Sequence, residues 1–173
     1  MRNVASRSLL LLCFIPALAC GQGNAGSPRG EANVTLAGKQ VSISYGRPSM
    51  RGRKIMGELV PFGQVWRTGA NEATSFTTGV DLTIGGAHVP SGNYTLYTLP
   101  SENSWKLIIN KQTGQWGLEY NQNQDLARVD MKKTTLSQPV EQFTISWNKQ
   151  GDNSADVVME WENTRVSVPI RAK

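Results

Sequence analysis

Apolar and polar residues alternate through most of this chain. Val34 and Leu36, then Val41, Ile43 and Tyr45, keep a period of two on either side of Gly38-Lys39. That spacing puts the apolar side chains on one face of an extended chain and predicts a hairpin. Residues 74–78 continue the pattern. Leu82 and Ile84 run into Gly85-Gly86, a two-residue turn signal, and the chain returns through residues 87–89. Pro90-Ser91-Gly92 marks another turn, after which residues 94–99 alternate up to Pro100. Trp105, Leu107 and Ile109 repeat the spacing. After a loop come Val129 and Met131, then Phe143, Ile145 and Trp147, then Val157, Met159 and Trp161, and finally Val166, Val168 and Ile170. The pattern predicts an all-β domain, a single antiparallel β-sandwich with one face of each strand on the core. Jelly-roll and immunoglobulin-like connections both accommodate it. Short helices are expected only near residues 53–59 or 116–126, and no internal repeat is evident.

Residues 46–74 break the alternation. The stretch holds five glycines and four of the eight arginines that follow residue 19, Arg47, Arg51, Arg53 and Arg67. Long aperiodic connections are uncommon in small domains and are often functional. This segment is therefore where a site is expected.

The N-terminus reads as a targeting segment. Arg2 and Arg7 precede a short apolar run, and Ala17-Leu18-Ala19-Cys20 closes it. The run is too short to span a bilayer. Small residues followed by Cys resemble the bacterial lipoprotein processing site, although Ala17 stands where Leu is usual. The expected organisation is a signal peptide over residues 1–19, a lipidated Cys20 with a Gly/Ser/Pro-rich tether over residues 20–31, and a β-sandwich over residues 32–173. Gly21 after Cys20 favours the outer membrane, with the protein periplasmic or surface-facing and held by its lipid anchor only. A plain secreted protein is the alternative.

Charge and composition narrow the chemistry. Loss of the leader leaves 16 basic and 13 acidic residues, an excess too small to argue for nucleic acid in an exported protein. The second cysteine, Cys13, lies in the leader, and His88 is the single histidine. No metal site is therefore expected. No phosphate-binding loop or dinucleotide fingerprint is present, and no cofactor is expected. Ser49, beside Pro48, has no nucleophile-elbow context, and His88 follows a hairpin turn, so a serine-hydrolase triad has little support.

Several runs together resemble a bacterial family known as a domain of unknown function, number 2911. They are Gly46-Arg47-Pro48-Ser49, Gly52-Arg53, residues 59–63 and 66–74, residues 91–96, Trp105 with Asn110-Lys111, and Trp116-Gly117 with Tyr120. The resemblance covers nearly all of the exported domain. It implies an exported β-rich domain and carries over no catalytic residue.

The functional expectation rests on the residues themselves. Guanidinium forks match carboxylates, phosphates and sulfates. Arg47, Arg53 and Arg67 are candidates to hold a polar or anionic group. Asn71 and Glu72 supply the donors and acceptors that hydroxyls need, and Trp66 offers a face for a sugar ring. The competing reading is structural: a solvated basic loop over residues 49–54, with Arg67 paired to Glu72 or Glu58. Trp105, Trp147 and Trp161 are expected in the core, with Trp66 and Trp116 undecided. The leading expectation is a non-catalytic envelope lipoprotein binding a sugar, sugar acid or cell-wall fragment at Arg47, Arg53, Trp66, Arg67, Asn71 and Glu72. The alternatives are an envelope glycan hydrolase or lyase using Glu72, and a structural or protein-interaction module with an apolar patch near Met50, Ile55, Met56 and Leu59.

Overall fold

The alternating segments are strands. The computed structural model describes residues 26–173, so the leader, Cys13, Cys20 and most of the tether lie outside the described residues. Nine strands follow in order: β1 (Arg29–Leu36), β2 (Lys39–Gly46), β3 (Thr74–Thr78), β4 (Leu82–Ile84), β5 (Ala87–Val89), β6 (Gly92–Pro100), β7 (Trp105–Asn110), β8 (Asp125–Lys149) and β9 (Ser154–Ala172). β1 starts inside the compositional tether because Arg29 already pairs with Gly46 on β2. The hairpin turn falls on Ala37-Gly38, one residue before the Gly38-Lys39 step. Both of its residues have positive φ, 48° and 73°, which matches the twist of the flanking strands. In place of the expected short helices there is a single 3₁₀ turn at Gln122–Gln124, inside the second expected window.

All nine strands form one antiparallel sheet in the order β1-β2-β3-β6-β7-β8-β9-β4-β5, folded over its own apolar face and not closed into a barrel. Apart from one excursion the topology is an up-and-down meander. The β4–β5 hairpin leaves between β3 and β6 and docks on the far side of β9.

The fold-over is made by the two longest strands. The 19 residues of β9 would span about 60 Å if straight. Yet the Ala172 N–H donates to the Asn153 carbonyl at 2.8 Å, so the strand's two ends meet. The bend lies at Glu162, which sits at φ 54°. On one side Ala155, Val157, Met159 and Trp161 are buried; on the other the phase shifts to Thr164, Val166, Val168 and Ile170. β8 takes up the difference with register shifts between Thr135 and Val140 and between Val140 and Thr144. Bulges of this kind bend a ribbon and exchange its faces, so both arms present apolar side chains to one core.

The arms are fastened where the sheet meets itself. The Tyr45 hydroxyl on β2 accepts from the Ile145 N–H at 2.8 Å and donates to the Ile145 carbonyl at 3.2 Å, with the ring buried against Phe143. Both backbone groups are satisfied by one side chain a hundred positions away.

Candidate functional site

Residues 47–73, between β2 and β3, form a cover seated by apolar plugs. The segment first runs beside β8: the Phe143 N–H donates to the Pro48 carbonyl at 2.9 Å and the Met50 N–H to the Glu141 carbonyl at 2.8 Å. Ile55 and Val60 are then fully buried, and the Ile55 carbonyl accepts from the N–H groups of Glu58 and Val60. The Glu162 carboxylate accepts from the Ile55 and Met56 N–H groups, each at 3.1 Å. The bend in β9 therefore also holds the cover. Trp66 exchanges two backbone hydrogen bonds with Thr98 on β6. Its ring stacks on Trp161 at 5.8 Å and meets Phe143 and Trp105 edge-on. The expected apolar patch is not formed as drawn, because Ile55 is buried and Met50 and Met56 pack on the core. Trp105 and Trp161 are buried as expected, and Trp147 is half-buried.

After Trp66 the chain turns twice through left-handed backbone, at Thr68 (φ 56°) and Asn71 (φ 65°). Such conformations in non-glycine residues need support from their surroundings. Here the Thr68 hydroxyl bonds the Thr98 hydroxyl, and the Thr74 hydroxyl donates to the Thr68 carbonyl. The turn crosses β2 at Gly46, where a Cβ would stand 2.0 Å from the Ala70 carbonyl oxygen. Only glycine permits that approach.

The six expected binding residues are distributed as follows. Arg47 donates to the Phe143 carbonyl and the Thr144 hydroxyl, clamping β8. Arg53 folds back on the carbonyls of Met50 and Ser49. Arg67 differs: its Nε is buried and has no acceptor among the described residues. The pairing expected of Arg67 with Glu72 or Glu58 does not form, because Glu72 pairs with Arg29 at 3.0 Å and Glu58 with Lys54 at 3.4 Å. Asn71 donates to the Ser27 carbonyl at 3.2 Å.

Arg53, Trp66, Arg67 and Asn71 share one cleft of about 350 Å³, floored by Trp66 and Trp161. Arg47 lines an adjoining depression that shares Ser27, Pro48 and Arg53 with the first. Glu72 lines a third, with Arg29, Ser75, Thr77, Asn93 and Gln115 among its walls and no second carboxylate. Among the described residues, Glu72 is the one carboxylate lining that depression, and a two-carboxyl glycosidase needs a second. His88, on β5, faces Asp81 at 3.8 Å. Among the described residues, no group of three or more His, Cys, Asp or Glu could hold a metal, and no helix is long and apolar enough to cross a membrane.

Residues 111–124 contribute what sequence reasoning missed. This loop lies over the outer face of β6. Gln115 donates to the hydroxyls of Thr95 and Tyr97, and Tyr97 donates to the Glu119 carbonyl. Tyr120 donates to Asp125 at 2.6 Å and receives Arg128, which also bonds Asp125. Burial first, then the hydrogen bond to Asp125, pushes the Tyr120 phenol up to about 12. The loop then passes over Arg67: a Cβ on Gly117 would lie 2.5 Å from the Arg67 Cδ and 2.6 Å from the Asn71 carbonyl oxygen. Leu118 lines the same cleft as Leu59. The adjacent Trp116-Gly117 pair was the signal available in the sequence, but its spacing does not reveal that it covers Arg67.

The chain belongs to the family of proteins of unknown function DUF2911, whose model matches residues 27–170. Comparison with the curated proteins gives no match. Comparison with the solved structures gives none either.

Proposed function

We propose that this protein is an exported, lipid-anchored component of the cell envelope that binds a small polar or anionic ligand without transforming it. The anchor rests on Cys20 and its leader, and the binding role on the cleft beneath residues 66–71. One observation carries the binding reading. Arg67 is the partly buried arginine of the segment with no acceptor among the described residues, and it lines a cleft with Arg53 and Asn71. A buried donor left unpaired is costly, and native proteins seldom keep one without a reason. An anion in the cleft supplies the guanidinium with an acceptor. Sugar acids and acidic cell-wall fragments carry such a group, and the aromatic floor suits a ring or chain laid against it.

The test is a thermal-shift and calorimetric screen of sugars, sugar acids and cell-wall fragments against the full chain and its Arg67→Gln and Asn71→Ala variants. Binding that weakens at least tenfold in Arg67→Gln supports the site. Binding that both variants leave unchanged places the site elsewhere.

A further inference from the structure

Three large apolar side chains are exposed among the described residues: Leu59 at 46 %, Trp116 at 49 % and Leu118 at 73 %. Leu59 lies far in sequence from the Trp116–Leu118 pair, yet it shares a cleft with Leu118. Leu59 and Leu118 both line the Arg67 cleft, and Trp116 stands beside Gly117, which covers the Arg67 stem. Isolated exposed leucines are ordinary, but a convergence around a single cleft marks a contact surface.

The wall chemistry is divided. Arg67 brings a guanidinium without a protein partner among the described residues, beside Arg53 and Asn71, which bond the Met50, Ser49 and Ser27 carbonyls, while Leu59, Val60 and Leu118 line the same cleft with hydrocarbon. A fully hydroxylated ligand would lose hydration against those carbon walls without regaining hydrogen bonds. A ligand with one charged end and one apolar end matches both sides. The volume of about 350 Å³ is at the lower end for small-molecule sites, which suits a single chain or ring.

We infer that the cleft takes an amphipathic monoanion, a carboxylate carrying one hydrocarbon chain, with the carboxylate on Arg67 and the chain between Leu59 and Leu118. The inference rests on the binding reading above and narrows its ligand class. The Arg67 fork receives both carboxylate oxygens, and the chain continues over the Trp66 and Trp161 floor.

The experiment titrates hexanoate, octanoate, decanoate, 1-decanol and glucuronate into the full chain, followed by calorimetry and tryptophan fluorescence. Each added methylene is expected to tighten binding about fourfold until the cleft is filled. Decanoate should bind at least tenfold more tightly than glucuronate. Leu118→Ser, at an exposed position, should flatten the chain-length slope and leave the unfolding midpoint unchanged. Arg67→Gln should weaken the carboxylates at least tenfold and leave 1-decanol unaffected. Glucuronate binding with no dependence on chain length overturns the amphipathic inference and leaves the binding reading standing. An unchanged slope in Leu118→Ser also overturns it, because the chain is then taken up elsewhere. If none of the probes binds, the amphipathic inference falls, and the wider screen of sugars, sugar acids and cell-wall fragments decides the binding reading.

Discussion

Replacing Arg67 with methionine separates a binding role from a structural one, because the two predict opposite changes in stability. The Arg67 Nε is buried without an acceptor, while the stem packs beneath Gly117. Methionine keeps the stem and removes the unpaired donor. An unsatisfied buried donor costs about 1–3 kcal/mol. Arg67 is only partly buried, so the recoverable share is near the lower end, about 1 kcal/mol. The Arg67→Met variant is therefore expected to match the parent or exceed it by up to about 1 kcal/mol. With an m-value of about 2 kcal/mol/M, that is a urea midpoint up to about 0.5 M higher. Urea unfolding followed by tryptophan fluorescence measures it, and calorimetry with the best anionic probe is run on the same samples. Stability kept while binding is lost is the signature of a side chain retained for a ligand. A midpoint lowered by the equivalent of more than about 1 kcal/mol, at unchanged m, would refute the reasoning. It would show that the guanidinium holds the cover on the sheet.

Tyr45→Phe removes the hydroxyl that serves both the N–H and the carbonyl of Ile145, and should cost about 2–4 kcal/mol in urea unfolding; a loss below about 0.5 kcal/mol would mean that those groups find other partners. Gly46→Ala places a Cβ 2.0 Å from the Ala70 oxygen, so the cover must shift. The expected loss is about 3 kcal/mol, with weaker ligand binding, and an unperturbed midpoint would contradict the close crossing. The Tyr120 phenol is raised from 10.0 to about 12, so its contribution to stability is complete below about pH 10 and is lost as pH rises toward 12. Tyr120→Phe should make the alkaline decline shallower over that window, and superimposable declines would refute it. Tyr94 and Tyr97, raised chiefly by burial, keep part of the decline in the variant.

The strands were legible in the sequence because the burial of a strand's two faces is written locally, at every second residue. Val41, Ile43 and Tyr45 announce β2 without reference to anything distant. The cover was legible only as an interruption. Its anchors, Ile55, Val60 and Trp66, have irregular spacing because they pack on the core from an aperiodic loop and not from a strand. Four of the six expected binding residues share one cleft. Arg47 and Glu72 are drawn to Phe143, Thr144 and Arg29 instead.

By itself, the sequence determined an all-β chain, the positions of its strands and the family it belongs to. The tertiary structure alone decided three further things. It bent β9 at Glu162 and thereby aimed that carboxylate at the cover. It paired Glu72 with Arg29 and left the Arg67 Nε without an acceptor. It brought Leu118 and Leu59 to one cleft. The reason is the same in each case. Alternation is a property of neighbours, whereas an ion pair, an orphaned donor or a cleft wall depends on which residues meet after the sheet has folded onto itself.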